Sequence, residues 1–252
     1  MQRDVVLAWL HEQLEPESFE DYCPNGLQVE GGTQVQRLAT GVTASLAWIE
    51  QALAWGADTL LVHHGLFWRG QSGVVTGWMR QRLAPLLAAD ANLLAFHLPL
   101  DAHPAWGNNA QLGQRLGLQA FDGPAGRFGR QGLGWLGHDP SGLTLHDLAA
   151  RCERALRRTP VVVGRPEQPL TRVAWCTGGA QGYFEAAIAA GAQAFITGEI
   201  SEPQAHIARE CGVAFLACGH HATERDGVQA LGQAMAQRFG LEHAFFDVDN
   251  PA

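Results

Sequence analysis

Apolar positions along the chain follow two periods, and the switches between them mark the elements. Leu7 to Leu14 carries apolar residues at helical spacing and reads as an amphipathic helix. Cys23-Pro24-Asn25-Gly26 is a turn. Leu27-Gln28-Val29-Glu30 then alternates like a short strand and is closed by Gly31-Gly32. Arg37 to Val42 is a second strand, and Ala44 to Trp55 is a helix that Gly56 ends as a C-cap. Thr59-Leu60-Leu61-Val62 has almost no polar face, the mark of a strand buried on both sides. Trp78 to Ala88 reads as a helix and Leu93 to Phe96 as another buried strand. Strand, helix and strand in alternation predict βαβ units and a mainly parallel sheet.

The same pattern recurs later. Arg37 to Gly65 aligns without gaps on Arg172 to Ile200, each copy reading strand, helix, Gly-Ala, buried strand. Each copy leads to a further buried strand, Leu93 to Phe96 in the first and Val213 to Leu216 in the second. An α/β fold of two internally related halves follows, residues 1–121 and 122–252. The second half includes a Gly- and Pro-rich middle segment, 122–170. That segment holds a helix from Leu145 to Arg157, opened by Thr144 with Asp147, and a short strand Val161 to Val163. A helix from Glu224 to Phe239 and a strand from Ala244 to Val248 close the chain.

Composition narrows the function. The 252 residues carry a formal net charge of -8, and all 17 cationic side chains are arginine. An acidic protein lacks the dense basic face that coating nucleic acid requires. Without lysine there is neither a Schiff-base lysine nor a phosphate-binding Walker lysine. Five scattered cysteines without a CxxC pair fit a reducing cytoplasm. No apolar run is long enough to span a membrane, and the first segment is amphipathic rather than a signal peptide.

Polar residues gather where buried strands end, the place where ligands collect in open α/β sheets. His63-His64 follows Leu60-Leu61-Val62. His97 ends the next strand, with Asp101 and His103 just beyond. Glu199 follows Phe195-Ile196-Thr197, and His220-His221 follows Phe215 to Cys218 with Glu224 one turn later. Adjacent histidines point their rings differently, so a pair such as His63-His64 suits two metal ions, one each. His220 and Glu224 at i, i+4 share a helix face. Imidazole with carboxylate suits Zn, Mn or Fe, and one carboxylate can bridge two ions.

Other signals are weaker. Gly132-Leu133-Gly134-Trp135-Leu136-Gly137 matches GxGxxG but lacks a preceding buried strand and a following helix, so it is not a dinucleotide loop. Gly178-Gly179 is either an anion site at a helix start or a tight turn. No serine sits in a nucleophile elbow. Trp68 and Trp106 flank the candidate ligands, where they line a pocket or stack on a base.

Several motifs in series carry a resemblance. They are Pro24-Asn25-Gly26-Leu27-Gln28-Val29-Glu30-Gly31, Val62-His63-His64-Gly65-Leu66-Phe67-Trp68, and His97-Leu98-Pro99-Leu100-Asp101 with Gly107-Asn108-Asn109. Thr197-Gly198-Glu199 and Gly219-His220-His221-Ala222-Thr223-Glu224 complete the set. Over nearly its whole length the chain resembles the Nif-three-like family of dinuclear metal-centre proteins, of the YbgI type, whose members are called GTP cyclohydrolase 1 type 2 homologues. The resemblance implies two interlinked α/β halves and a toroidal homohexamer. It also implies two divalent ions, Zn, Fe or Mn, on His63, His64, Asp101, His220 and Glu224. In the family pattern Glu224 bridges the ions, His64 and Asp101 hold one, and His63 and His220 hold the other. His97 is the candidate proton-carrying catalytic group. The expected activity is hydrolysis of a nucleotide or related heterocycle. The rivals are a two-metal phosphoesterase and a non-catalytic metal-binding ring acting as a scaffold or metal-responsive partner.

Overall fold

In the computed structural model, which describes residues 1–252, the chain begins with α1 (Arg3–Leu14), β1 (Gly26–Val29), β2 (Arg37–Thr43), α2 (Leu46–Ala54), β3 (Thr59–His64), α3 (Gly77–Ala88) and β4 (Asn92–Ala95). Two short helices follow, α4 (Leu98–Ala102) and α5 (Asn108–Arg115). The middle supplies β5 (Gln119–Ala120), β6 (Arg127–Phe128), β7 (Gly134–His138), β8 (Leu143–Thr144), α6 (Leu145–Leu156), β9 (Val161–Val163) and β10 (Pro169–Leu170). The chain closes with β11 (Val173–Trp175), α7 (Phe184–Ala189), β12 (Ala194–Thr197), α8 (Glu202–Cys211), β13 (Ala214–Ala217), α9 (His220–Phe239) and β14 (Glu242–Phe245). No helix is long and apolar enough to cross a membrane.

The chain divides into two compact units. The first comprises Met1–Gly107 with Gly227–Asp249. Its sheet runs β1-β4-β3-β2-β14, parallel except for β1. On one face Trp48 and Ile49 of α2 and Leu83 and Leu86 of α3 cover Ala39, Leu60, Val62 and Leu93. On the other, Val6 and Leu10 of α1 join Val228, Leu231 and Met235 of α9 over Leu38, Leu61 and Leu94. With both faces covered, the middle of each strand has to be continuously apolar, as Leu60-Leu61-Val62 of β3 and Leu93-Leu94-Ala95 of β4 are.

The second unit comprises Asn108–Asp226 with Asn250–Ala252. Its main sheet runs β5-β7-β11-β12-β13-β9, with β6 also on β7. The three central strands are parallel and their flanks antiparallel. Leu112 of α5 and Leu116 just past it pack in one core with Leu148 and Cys152 of α6 and with Trp175, Ile196 and Leu216 of the sheet. Phe184, Phe195 and Phe215 form an aromatic cluster. Because α5 belongs to this core, the division falls after Gly107 rather than near residue 121. The last strand likewise pairs with β2 rather than within the second half.

The internal repeat is visible in the strand register. Leu38 faces Thr59 and Ala39 faces Leu60 in the first unit, while Val173 faces Ala194 and Ala174 faces Phe195 in the second. The polar tie at the base of each pair is also repeated. Asp58 accepts hydrogen bonds from Gln36 N and Arg37 N, both at 2.9 Å. Gln193 in the corresponding place accepts from Thr171 N at 2.6 Å and Arg172 N at 3.1 Å. A side-chain acceptor clamps the start of one strand to the next in both halves.

The Gly-rich middle is more ordered than its composition predicts. The GxGxxG stretch is largely β7, paired with β11 through Trp135↔Trp175, so it offers no phosphate loop. The predicted capping box opens α6, with Thr144 accepting from Asp147 N. Hydrogen bonds of this kind, partly open to solvent, each contribute about 0.5–1.5 kcal/mol. Asp58→Ala and Gln193→Ala are therefore each expected to lower the urea midpoint, whereas Asp58→Asn keeps an acceptor and most of the stability. Equal midpoints for Asp58→Ala and the parent protein would remove the clamp from the account.

Candidate metal centre

In the first unit the donors lie at the carboxyl ends of β3 and β4. The last two residues of β3 are His63 and His64, and α4, which follows β4 directly, carries Asp101. His63 is fully buried and Asp101 nearly so. His63 Nδ1 donates to the Phe96 carbonyl at 3.0 Å, leaving Nε2 3.5 Å from Asp101 Oδ1. His64 Nδ1 is bonded to Thr43 Oγ1 at 3.1 Å. The two rings lie 4.5 Å apart, tilted by 43°, with their Nδ1 atoms tied to different elements. A ring nitrogen of His97 lies within 4.8 Å of one from each of them.

His97 is held differently. Its Nδ1 lies 2.7 Å from Asp21 Oδ1, and its backbone N–H donates to Asn25 Oδ1 at 2.7 Å. Asp21 Oδ2 accepts from Leu98 N, the first N–H of α4, at 3.0 Å and from Asn25 Nδ2 at 2.9 Å. Burial on its own would raise the Asp21 carboxyl. The hydrogen bond and charge of His97, with the Asn25 and Leu98 bonds, override it and bring the pKa down to about 2. Cys23, close to both, is pushed up to about 12 by burial and by the Asp21 charge, so it stays a neutral thiol.

In the second unit the donors sit on the first turn of α9, which begins at His220 rather than at Glu224 as the pattern predicts. The earlier start puts His220 and Glu224 on one helical face, with Nε2 3.3 Å from Oε2. His220 Nδ1 lies 2.6 Å from Glu199 Oε1, and Gln181 Nε2 donates to Glu199 Oε2 at 3.2 Å. Burial would lower the His220 pKa, but the two carboxylates raise it to about 9. That field favours a cation at Nε2, whether proton or metal ion. The glycines beside it are required by space: a Cβ on Gly178 would lie 2.0 Å from Glu224 Oε1, and one on Gly198 would lie 2.5 Å from His220 Cα. Gly178-Gly179 thus supplies the clearance in which Glu224 and His220 fit.

Distances sort the imidazole–carboxylate pairs into two kinds. Two ligands about 2.0–2.1 Å from a tetrahedral ion are roughly 3.3–3.5 Å apart. The pairs His63–Asp101 at 3.5 Å and His220–Glu224 at 3.3 Å match that edge. The pairs His97–Asp21 at 2.7 Å and His220–Glu199 at 2.6 Å are too short for it and are hydrogen bonds. In both matching pairs the histidine presents Nε2 while Nδ1 is bonded to a protein oxygen, the orienting arrangement found behind metal-ligating imidazoles. The donor chemistry and spacing therefore fit a divalent cation.

Some candidates fall outside these sets. His103 stacks on Trp106 at 4.6 Å, and its Nδ1 accepts from Trp106 N. Trp68 lies beside the donors, 5.8 Å from His64 and edge-on to His97 at 5.1 Å. Sequence reasoning overlooked Thr43, Asn25 and Asp21. Only Asn25 lies inside an element that the pattern located, Asp21 and Thr43 fall just outside the predicted turn and strand, and their partners are 21 to 76 residues away in the chain.

The chain matches the family model Duf34/NIF3 (NGG1p interacting factor 3) over residues 1–251. It is 52% identical to a Neisseria meningitidis serogroup A protein called GTP cyclohydrolase 1 type 2 homolog, covering 100% of this chain and 99% of the relative. A Pseudomonas aeruginosa protein of the same name is 50% identical, over 98% of this chain and 99% of the relative. Among solved structures, the protein ybgI superposes with a TM-score of 0.94 at 45% identity, and a Thermus thermophilus protein with 0.89 at 33%, each covering 100% of both chains. Strand order, site motifs and full-length similarity agree: the chain belongs to the Duf34/NIF3 family.

Proposed function

We propose that this protein is a metal-dependent hydrolase of a nucleotide or related heterocycle, its two divalent ions held by His63, His64, Asp101, His220 and Glu224. The observation that carries the reading is the pair of imidazole–carboxylate edges of ligand length, each backed by a bonded Nδ1. The 3.5 Å spacing favours His63, not His64, as the partner of Asp101 on one ion. Glu224, with two oxygens, is the bridging ligand. The ring assembly is carried over as a homohexamer, and histidine with carboxylate admits Zn, Fe or Mn.

Divalent ions at such donors lower the pKa of water enough for attack near neutral pH. The protein's own part is to hold substrate and move protons. The name shared by the relatives makes an electron-poor ring carbon of a guanine nucleotide the first substrate to test. Trp68 offers an apolar ring beside the histidines for such a heterocycle. His97, adjacent to the ligands but bonded to Asp21 in a pair too short for shared coordination, is the group that takes a proton from water and returns it to the leaving nitrogen.

Protein purified without oxygen and reconstituted with each metal is expected to bind two ions per chain and to release formate from GTP in a metal-dependent way. Full metal loading without formate would reject that substrate and open a phosphoester panel. Full loading with no turnover on any member would favour a metal-binding scaffold. Replacing Glu224 by Gln should empty both positions, measured as metal per chain, and a full complement in that variant would rule out the bridge. Glu199→Gln should retain the fold and weaken metal binding about 10–100-fold, the usual effect of losing an orienting partner. Unchanged affinity in a competition titration would make Glu199 a bystander.

A further inference from the structure

Asp21 lies outside both ligand sets, yet both oxygens of its carboxylate are engaged beside the site. Its side chain is only 4% exposed. It meets His97 Nδ1, caps the first N–H of α4 through Leu98 N, and accepts from Asn25 Nδ2 and Tyr22 N. The Asn25 carbonyl in turn accepts from the backbone of His97, so ring and backbone are held from the same turn. An ionised carboxylate can only accept hydrogen bonds, so the hydrogen between Asp21 and His97 belongs to Nδ1. That leaves Nε2 as the one nitrogen of His97 able to gain or lose a proton in the chemistry. Trp68, edge-on at 5.1 Å, and the His63 ring at 5.1 Å bound the imidazole.

We propose that Asp21 is a positioning residue that fixes His97 in its Nδ1–H form and in place beside the metal ligands. The role parallels that of an orienting acid behind a catalytic imidazole: the acid need not change protonation, because it sets which nitrogen faces the reaction. The inference rests on the proposed role of His97 for its consequence in turnover, but the tautomer can be read without turnover. The 2.7 Å contact excludes Nδ1 of His97 from metal coordination and leaves only Nε2 open to the site.

The test uses the full chain loaded with Zn and labelled with nitrogen-15 at histidine. Long-range proton–nitrogen correlation spectra are assigned by the loss of one ring in His97→Gln. The parent protein is expected to show His97 with Nδ1 protonated. In Asp21→Asn the amide oxygen can still cap Leu98 N, but the amide nitrogen is a donor. His97 Nδ1 must then accept, and the hydrogen moves to Nε2. The spectrum should therefore invert at His97 while metal per chain is unchanged. If turnover has been found, kcat should drop about 10²–10⁴-fold, the scale of general acid–base catalysis. An Nε2–H form in the parent protein overturns the proposal, and that reading needs no variant to fold. Loss of metal from Asp21→Asn with the Nδ1–H form retained would also overturn it, reducing Asp21 to a cap for the helix that carries Asp101. Absence of metal-dependent hydrolysis in the parent protein would remove the proposed activity and leave the tautomer result standing.

Discussion

An imidazole offers two nitrogens on one ring, and tying down one of them aims the other. That constraint organises the whole candidate site. His63, His64 and His220 are each bonded through Nδ1 to a protein oxygen: the Phe96 carbonyl just past β4, the Thr43 hydroxyl of β2 and the Glu199 carboxylate just past β12. The three orienting oxygens come from three different strand ends, so the rings depend on the sheets being in register. A slip of one residue in β3 would turn its side chains to the opposite face and exchange His63 for a neighbour. The buried, continuously apolar strands that resist such slippage are thus part of how the ligands are aimed.

The repeated halves supply two equivalent strand ends and then diverge at them. Counting from the shared register, His63-His64 at the end of β3 corresponds to Gly198-Glu199 after β12. The first half uses the position for two imidazoles. In the second, Glu199 orients His220 from the matching place, and Gly198 clears space for the helix that carries it. The parent scaffold, two parallel strands clamped by Asp58 in one copy and Gln193 in the other, stays constant while the chemistry at its ends differs. Donor-bearing positions at strand ends can vary in such a scaffold while the strand pairing and the clamp behind them stay the same.

Legibility in the sequence followed how local each feature is. The buried strands, the α6 cap and the i, i+4 pair of His220 and Glu224 depend on neighbours within a turn or two, and their residues announce them. The strand ends also identified which stretches carry donors. What could not be read was tertiary: that Asp21 reaches His97 across 76 residues, that Thr43 meets His64 from the adjacent strand, and that α5 packs with the second core and moves the division to Gly107. The same limit explains the GxGxxG stretch. A glycine pattern reads alike in a phosphate loop and in a strand whose partners press close, and here Gly134 lies against Phe128 and Gly137 against the backbone of Gln119.

The two kinds of acid–imidazole contact also settle how protons and metal compete. Asp21, tied by hydrogen bonds, is held near a pKa of about 2 and has no tendency to take up a proton in the neutral range. His220 is the opposite case. Burial works against its charge, but Glu224 and Glu199 outweigh burial and raise it to about 9, so the metal-free ring carries a proton throughout the neutral range. A metal ion requires the unprotonated Nε2, and its binding must expel that proton. Affinity at this position therefore rises with pH up to the His220 pKa and falls as the medium is acidified. The carboxylates that make the proton hard to remove are the same ones that attract the ion. A divalent charge gains more Coulombic energy from them than a single proton does, so the same pair of carboxylates that raises the proton's hold also strengthens the ion's.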